Sequence, residues 1–294
     1  MYEITIDDEI CKKCGNCAKT CPVGVIQQTA KGKNPLISED HLGHCVGCGH
    51  CVAICPQGAI SHSRYPDGAV HTIQPGLVPS YDALLELIRG RRSKRDFRAK
   101  PVEKEKLEQI LDAARFAPSG HNAQSTEFVI VQDQKMIHTI GQLTADGLKK
   151  MATTFTSPIG RVVMRAMIGK RATEYVSGLA PEFDTLASMY ENGNDIILNA
   201  PPVLILFCAD GVGGTMTRTN ATLALHHAAL AVETLGLGCF YCGFISTVSE
   251  RDDSIAKFVG LPETHKIFGA LAVGYPKLTF KKWPERNPAK VTWF

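Results

Sequence analysis

Eight of the eleven cysteines in the chain fall between residues 11 and 55, and their spacing constrains the fold more than any other feature. The first run is Cys11, Cys14, Cys17 and Cys21, followed by Pro22; the second is Cys45, Cys48, Cys51 and Cys55, followed by Pro56. Both read C-x2-C-x2-C-x3-C-P, so the segment is also an internal repeat. In a secreted mini-protein this density would suggest disulfides. Here the sequence opens on an acidic stretch, Met1-Tyr-Glu-Ile-Thr-Ile-Asp-Asp-Glu, with no apolar signal-peptide core, which predicts a cytoplasmic protein. Zinc sites pair two C-x-x-C knuckles around one ion, and a doubled three-cysteine run ending in C-P is a poor match to that pattern.

Three thiolates at i, i+3 and i+6 can wrap one corner of a cubane. Gly15, Gly47 and Gly49 let each loop turn tightly and bring backbone N–H groups toward sulfur. The fourth cysteine of each run is expected to open a short helix that points away, and so to ligate the other cluster. The prediction is two 4Fe–4S clusters, one on Cys11, Cys14, Cys17 and Cys55, the other on Cys45, Cys48, Cys51 and Cys21. Over about residues 2–75 the segment resembles bacterial two-cluster ferredoxins along its whole length, with no ligand missing. His44 and His50 stand beside ligands but are read as outer or surface residues. Such clusters move single electrons, at potentials spanning roughly −700 to +450 mV, so the rest of the chain must supply a use for them.

With 294 residues the chain is long enough for more than one domain. No apolar run approaches the roughly 18 residues needed to cross a bilayer, and no membrane partner is expected. The net charge of +3 divides into about −1 over residues 1–76 (six Lys/Arg, seven Asp/Glu) and about +4 over the remainder. The densest basic stretch, Arg89 to Lys106, is interrupted by Asp96, Glu103 and Glu105, and its Arg-rich start suits a phosphate better than nucleic acid. Gln74-Pro-Gly-Leu-Val-Pro79 breaks helix and strand alike. It separates a ferredoxin-like domain over 1–76 from a larger domain over 77–294.

In the larger domain Ser80 can cap a helix from Tyr81 to Arg89 with Leu84, Leu85, Leu87 and Ile88 on its apolar face. A second helix is expected from Glu103 to Phe116. Glu127–Gln132 reads as a short strand, residues 135–190 as mainly helical, and Val203–Cys208 as a fully buried strand. A helix from Thr219 to Leu235 and strand-like segments at Cys239–Cys242 and Lys266–Val273 complete a sheet packed by helices, an α+β or α/β arrangement.

Two motifs carry a second resemblance. Arg91-Arg92-Ser93-Lys94-Arg95-Asp96-Phe97 looks like the R-x-S-x-R/K-x-F opening of the nitroreductase flavoproteins, and Ala117-Pro118-Ser119-Gly120-His121-Asn122-Ala123-Gln124 is similar to the family's A/S-P-S-x-x-N-x-Q segment. The resemblance covers about residues 80–294 and implies an α+β, dimeric, FMN-binding fold. By resemblance Arg91, Arg92, Ser93 and Arg95 bind the FMN phosphate and ribityl chain, a task suited to planar, charge-assisted guanidinium bonds. Pro118, Ser119, Asn122 and Gln124 contact flavin, in this family often from the partner subunit. Tyr241, Cys242 and Gly243 lie beneath the flavin ring. Gly274-Tyr275-Pro276 matches the family's G-Y-P, and Lys282 or Arg286 beyond it closes on the phosphate.

The functional expectation is a homodimeric FMN oxidoreductase. It takes electrons through two 4Fe–4S clusters from a ferredoxin-type or other low-potential donor and reduces a small organic acceptor of the nitroaromatic, quinone or conjugated-carbonyl class. No catalytic side chain stands out, and solvent or Tyr241 could supply protons. A pure relay, passing electrons through FMN to a protein partner, is the alternative, and a deiodinase-like branch of the same family is a third reading. Cys239 and Cys242 are expected on opposite faces of a strand, hence as core thiols rather than a redox pair. Gly211-Val-Gly213-Gly214 lacks the third glycine and acidic partner of a dinucleotide loop. His226 and His227 are read as core or dimer-interface residues.

Overall fold

The computed structural model describes residues 2–294. The chain forms two compact units: the first runs to Pro79 and takes in Gly120–Ala123, and the second comprises Ser80–Ser119 and Gln124–Phe294.

The first unit contains β1 (Ile4–Ile6), α1 (Asn16–Thr20), β2 (Ile26–Gln27), β3 (Leu36–Ile37), α2 (Glu39–Leu42), α3 (His50–Ile54) and β4 (Ile60–His62). β1 pairs antiparallel with β4 and β2 with β3. The sequence repeat is also a backbone repeat. Gly15 and Gly49 precede α1 and α3 with φ of 74° and 75°, the left-handed conformation that glycine adopts without penalty. The expected helix at each fourth cysteine is corrected here. Cys21 and Cys55 end α1 and α3 in extended backbone, with ψ of 107° and 112°. The ring of the following proline clashes with a helical conformation at the residue before it, so Pro22 and Pro56 impose this stop.

The second unit contains α4 (Tyr81–Gly90), α5 (Lys104–Arg115), β5 (Glu127–Val131), α6 (Gln134–Thr156), α7 (Pro158–Glu191), β6 (Val203–Asp210), α8 (Gly214–Thr234), β7 (Gly238–Tyr241), α9 (Gly243–Ser249), α10 (Ser254–Phe258) and β8 (His265–Gly274). Its sheet has the order β5-β6-β8-β7 and is antiparallel throughout. That fixes the fold as α+β and removes the parallel crossover a dinucleotide loop at Gly211 would need. The central strand β6 is buried on both faces. Val203, Ile205 and Phe207 join Leu107, Ile110, Ala221 and Ala228 of α5 and α8 on one side. Leu204, Leu206 and Cys208 join Ile140, Leu148, Ala187 and Ile245 of α6, α7 and α9 on the other. Cys239 belongs to the first of these layers and Cys242 to the second, so the two thiols face apart as alternation requires.

Ser80 caps α4 by accepting from the Ala83 N–H at 3.2 Å. The apolar face expected of this helix exists but is not covered: no residue of α4 is buried, and Leu84 and Ile88 are 42% and 45% exposed. α6 and α7 form a long hairpin. Ser157 both ends α6 and caps α7, accepting from Gly160 N–H at 3.0 Å. A Cβ on Gly160 would run into the Thr154 carbonyl, so this tight corner depends on glycine. The helical path of α7 is broken at Gly169, where φ is 79° and ψ 165°.

Candidate cofactor sites

Two cavities of similar size open within the first unit. One is lined by Cys11, Cys14, Cys17 and Cys55 together with Gly15, Ile6 and Ile60. The other is lined by Cys21, Cys45, Cys48 and Cys51 together with Gly49, Val25 and Ile26. The cysteines are thus grouped around the cavities as the spacing groups them, with Cys55 beside the first run and Cys21 beside the second. The loops are pseudo-equivalent in detail. Lys13 N–H donates to Cys11 Sγ and Gly47 N–H to Cys45 Sγ, each at 3.4 Å. Val25 N–H donates to Cys21 Sγ at 3.2 Å, and Ala59 N–H to Cys55 Sγ at 3.3 Å. N–H donors aimed at sulfur stabilise thiolate charge. All these cysteines are free. Among the described residues no three His, Cys, Asp or Glu side chains converge as they would on a single ion. Thiols spread around an apolar-backed cavity fit a cluster better than zinc. Burial pushes the Cys51 thiol up to about 11, a cost that iron's positive charge would offset.

His44 and His50 are exposed. The histidine that does approach a ligand is His62, buried, with Nε2 3.6 Å from Cys45 Sγ. It lies on β4, seven residues beyond Cys55 and seventeen beyond Cys45, where it pairs with Ile4 across the β1–β4 ladder.

In the second unit the chain leaves α4 at Arg91 and runs extended along the sheet edge. Ser93 forms a parallel bridge to Cys239, and Lys94 N–H donates to the Cys239 carbonyl at 3.0 Å. Lys94 is taken up by an ion pair with Glu233. Arg91 and Arg95 instead lie over the aromatic rings of β7: Arg91 Cζ is 5.6 Å from the Tyr241 ring centre and Arg95 Cζ 5.3 Å from that of Phe240. Phe97 pairs with Pro276, and Arg98 N–H donates to the Tyr275 carbonyl at 2.8 Å. Three motifs far apart in sequence, the Arg-rich opening, Tyr241–Gly243 and Gly274–Pro276, thus meet at one edge. Among the described residues none of Arg91, Arg92 and Arg95 pairs with a carboxylate. Arg91, on Tyr241, and Arg95, on Phe240, stand on opposite faces of the β7 edge, as consecutive strand residues require, and guanidinium groups without acids are donors suited to a phosphate.

Pro118, Ser119 and Gln124 line one cavity with Arg115, Thr126 and Asn220. The loop is held by Gln124 N–H donating to Ser119 Oγ at 3.0 Å. Asn122 lies in the segment grouped with the first unit, and its Nδ2 donates to the Gly47 carbonyl at 2.7 Å. Lys282 and Arg286 are exposed on the extended C-terminal stretch, and no ion pair of theirs occurs among the described residues. Sequence reasoning missed one pairing at this edge. The Tyr241 hydroxyl lies 2.8 Å from Nδ1 of His226, which is exposed on α8 rather than core. Burial raises the Tyr241 phenol, whereas burial, then Arg91 and then His227 hold the His226 imidazole below its usual range. Cys239 is pushed up to about 12 by burial, and the buried Cys242 is also raised, so both are inert thiols.

The fold and this edge together define a flavoprotein-type oxidoreductase architecture, and comparison with known proteins agrees. Residues 88–275 match the nitroreductase family, and residues 3–63 match the 4Fe-4S dicluster domain. The chain belongs to the nitroreductase family and is an oxidoreductase. It is 27% identical over 193 residues to an Archaeoglobus fulgidus protein provisionally named NADH dehydrogenase/NAD(P)H nitroreductase, covering 66% of this chain and 85% of that one. It is 25% identical over 204 residues to the iodotyrosine deiodinase of Thermotoga neapolitana, covering 69% and 94%. Among solved structures, a Bacteroides fragilis nitroreductase with bound FMN superposes with a TM-score of 0.52 at 19% identity, covering 71% and 98%.

Proposed function

We propose that the protein is a homodimeric, FMN-dependent oxidoreductase that passes electrons from two 4Fe–4S clusters to FMN and on to a small organic acceptor of the nitroaromatic, quinone or conjugated-carbonyl class. The observation that carries this reading is the pair of cysteine-lined cavities, each walled by four thiols and each borrowing one cysteine from the other half. A chain that carries two such sites and a nitroreductase domain in one polypeptide has a built-in source of single electrons.

Cys11, Cys14, Cys17 and Cys55 would hold one cluster, and Cys45, Cys48, Cys51 and Cys21 the other. Arg91, Arg92, Ser93 and Arg95 fit the FMN phosphate and ribityl chain, with Lys282 or Arg286 added from the C-terminal stretch. Tyr241, Cys242 and Gly243 form a floor for the ring, and Pro118, Ser119, Asn122 and Gln124 contact it. When bound, FMN supplies the two-electron chemistry, while the clusters supply electrons singly. The guanidinium groups fix the phosphate and offset the negative charge of the reduced cofactor. Tyr241, hydrogen-bonded to His226, or solvent holds the proton the acceptor needs. The homodimer is supported by the uncovered apolar face of α4, where Tyr81 is 74% exposed.

The test is anaerobic stopped-flow reduction, with cluster and flavin absorbance followed separately. With a low-potential one-electron donor, cluster bleaching should precede flavin reduction, and Cys14→Ser should abolish that order. Fast reduction of the flavin by NADH, unchanged when residues 1–76 are deleted, would overturn the electron path.

A further inference from the structure

The α6–α7 hairpin carries a feature that electron transfer does not use. Between Asp146 and Glu174 the chain has six Lys/Arg and no Asp/Glu. Lys149, Lys150 and Lys170 pair with Glu191, Asp252 and Glu174. Arg161, Arg165 and Arg171 are exposed and have no ion-pair partner among the described residues. Beside these arginines lies bare hydrocarbon. Ile159 is 80% exposed, Val162 71%, Val163 50% and Met167 74%. At about 100° per residue, Ile159, Val162, Val163, Ala166 and Met167 fall within one arc of roughly 140°. Met164, on the opposite flank, is turned into the core of the unit. Arg161 and Arg165 occupy the shoulder between the bare arc and that buried side. The stretch is short and rigidly framed, starting at the Ser157 cap and ending at the Gly169 break.

We propose that this first part of α7, residues 158–168, docks on an anionic lipid surface. Its bare arc would lie at the headgroup–acyl boundary, with Arg161, Arg165 and Arg171 among the phosphates. An apolar stripe with guanidinium groups on its polar side is the chemistry such a surface selects. A second copy of the chain is a poorer occupant: a two-fold contact through this patch would place the same unpaired cations against one another. At about 16 Å for eleven residues the segment is too short to span a bilayer, and no helix among the described residues is long and apolar enough to do so. The association is therefore peripheral, and it revises the expectation that no membrane is involved. It would bring the protein to where apolar electron acceptors dissolve, but it does not depend on which acceptor is used.

The experiment is co-sedimentation of the full-length holoprotein with phosphatidylglycerol-rich vesicles and with pure phosphatidylcholine vesicles. Binding should require phosphatidylglycerol and weaken as salt is raised. One basic residue near an anionic surface contributes about fivefold, so R161E/R165E/R171E should weaken binding about a hundredfold or more. V163D/M167D should also weaken it, by removing the hydrocarbon contact. Acceptor reduction in solution should be the same in both variants, which also shows that they fold. Absence of binding to anionic vesicles at low salt would overturn the proposal. So would binding that both variants retain, or a dimer that dissociates in V163D/M167D, which would assign this face to a second copy.

Discussion

The two units hold themselves together by different means. The first packs around a buried apolar cluster of Cys17, Ile26 and Ile60, and its longest helices have five residues. Four of its backbone N–H groups, those of Lys13, Val25, Gly47 and Ala59, donate to cysteine sulfurs. The second buries large aliphatic and aromatic side chains on both faces of one sheet, among them Phe207, Ile110, Ile140 and Leu148. A small unit with little apolar burial needs ligands or cross-links to offset chain entropy, whereas a two-layered core does not. On this comparison the redox groups are expected to be structural in the first unit and guests in the second.

Removing iron should give the largest effect. After anaerobic chelation, amides of residues 2–75 should lose protection in hydrogen exchange, while β6 and β8 keep theirs, because ligand binding and folding are one equilibrium where the apolar core is small. Retained protection across β1 and β4 in the iron-free protein would remove the contrast. The second effect acts in reverse. Phe207→Ala opens a cavity in a fully buried site and should cost the second unit about 3–5 kcal/mol, read as a lower denaturation midpoint by far-ultraviolet circular dichroism. Cluster absorbance should survive beyond that midpoint; if both signals fall together, the units unfold as one.

The smallest effect concerns His226. Burial, then Arg91 and then His227 hold its imidazole below the ordinary 6.5. The unfolded chain therefore takes up this proton first as pH falls through 6.5, so the contribution to stability is full above that value and declines below it. NMR titration should give a midpoint under 6.5, raised by Arg91→Ala. A midpoint at or above 6.5 in the wild type would remove Arg91 from the surroundings of His226.

Much of this organisation is legible in sequence because it rests on local rules. The cysteine spacing names both cavities down to the exchanged Cys21 and Cys55, and the continuous apolar run at Val203–Cys208 marks a strand buried on both faces. The misreadings are equally physical. The helix at each fourth cysteine fails because Pro22 and Pro56 act backward on the residue before them. Of the two readings of His226, core or dimer interface, its exposure on α8 removes the first and leaves the second, because α8 is apolar on both sides and its pattern does not reveal which face the rest of the unit covers. His62 and Tyr241 reach their partners through strand register and helix packing, and no spacing rule in one chain encodes those distances. The bare arc of α7 belongs to the same class, since a buried and an uncovered apolar stripe have the same sequence.

The exchanged cysteine has a consequence for descent. Each run alone supplies three thiols to its own cavity and sends the fourth across. A single half is thus an unfinished container, and it can be finished only by another half offering the same gift in return. Reciprocity of that kind is the signature of a symmetric pair, so the tandem repeat has the logic of two subunits joined end to end. Once joined, each half was free to change its surroundings but not its debt. Gly15 now faces Gln28 and Gly49 faces Tyr65, while the eight cysteines keep identical spacing.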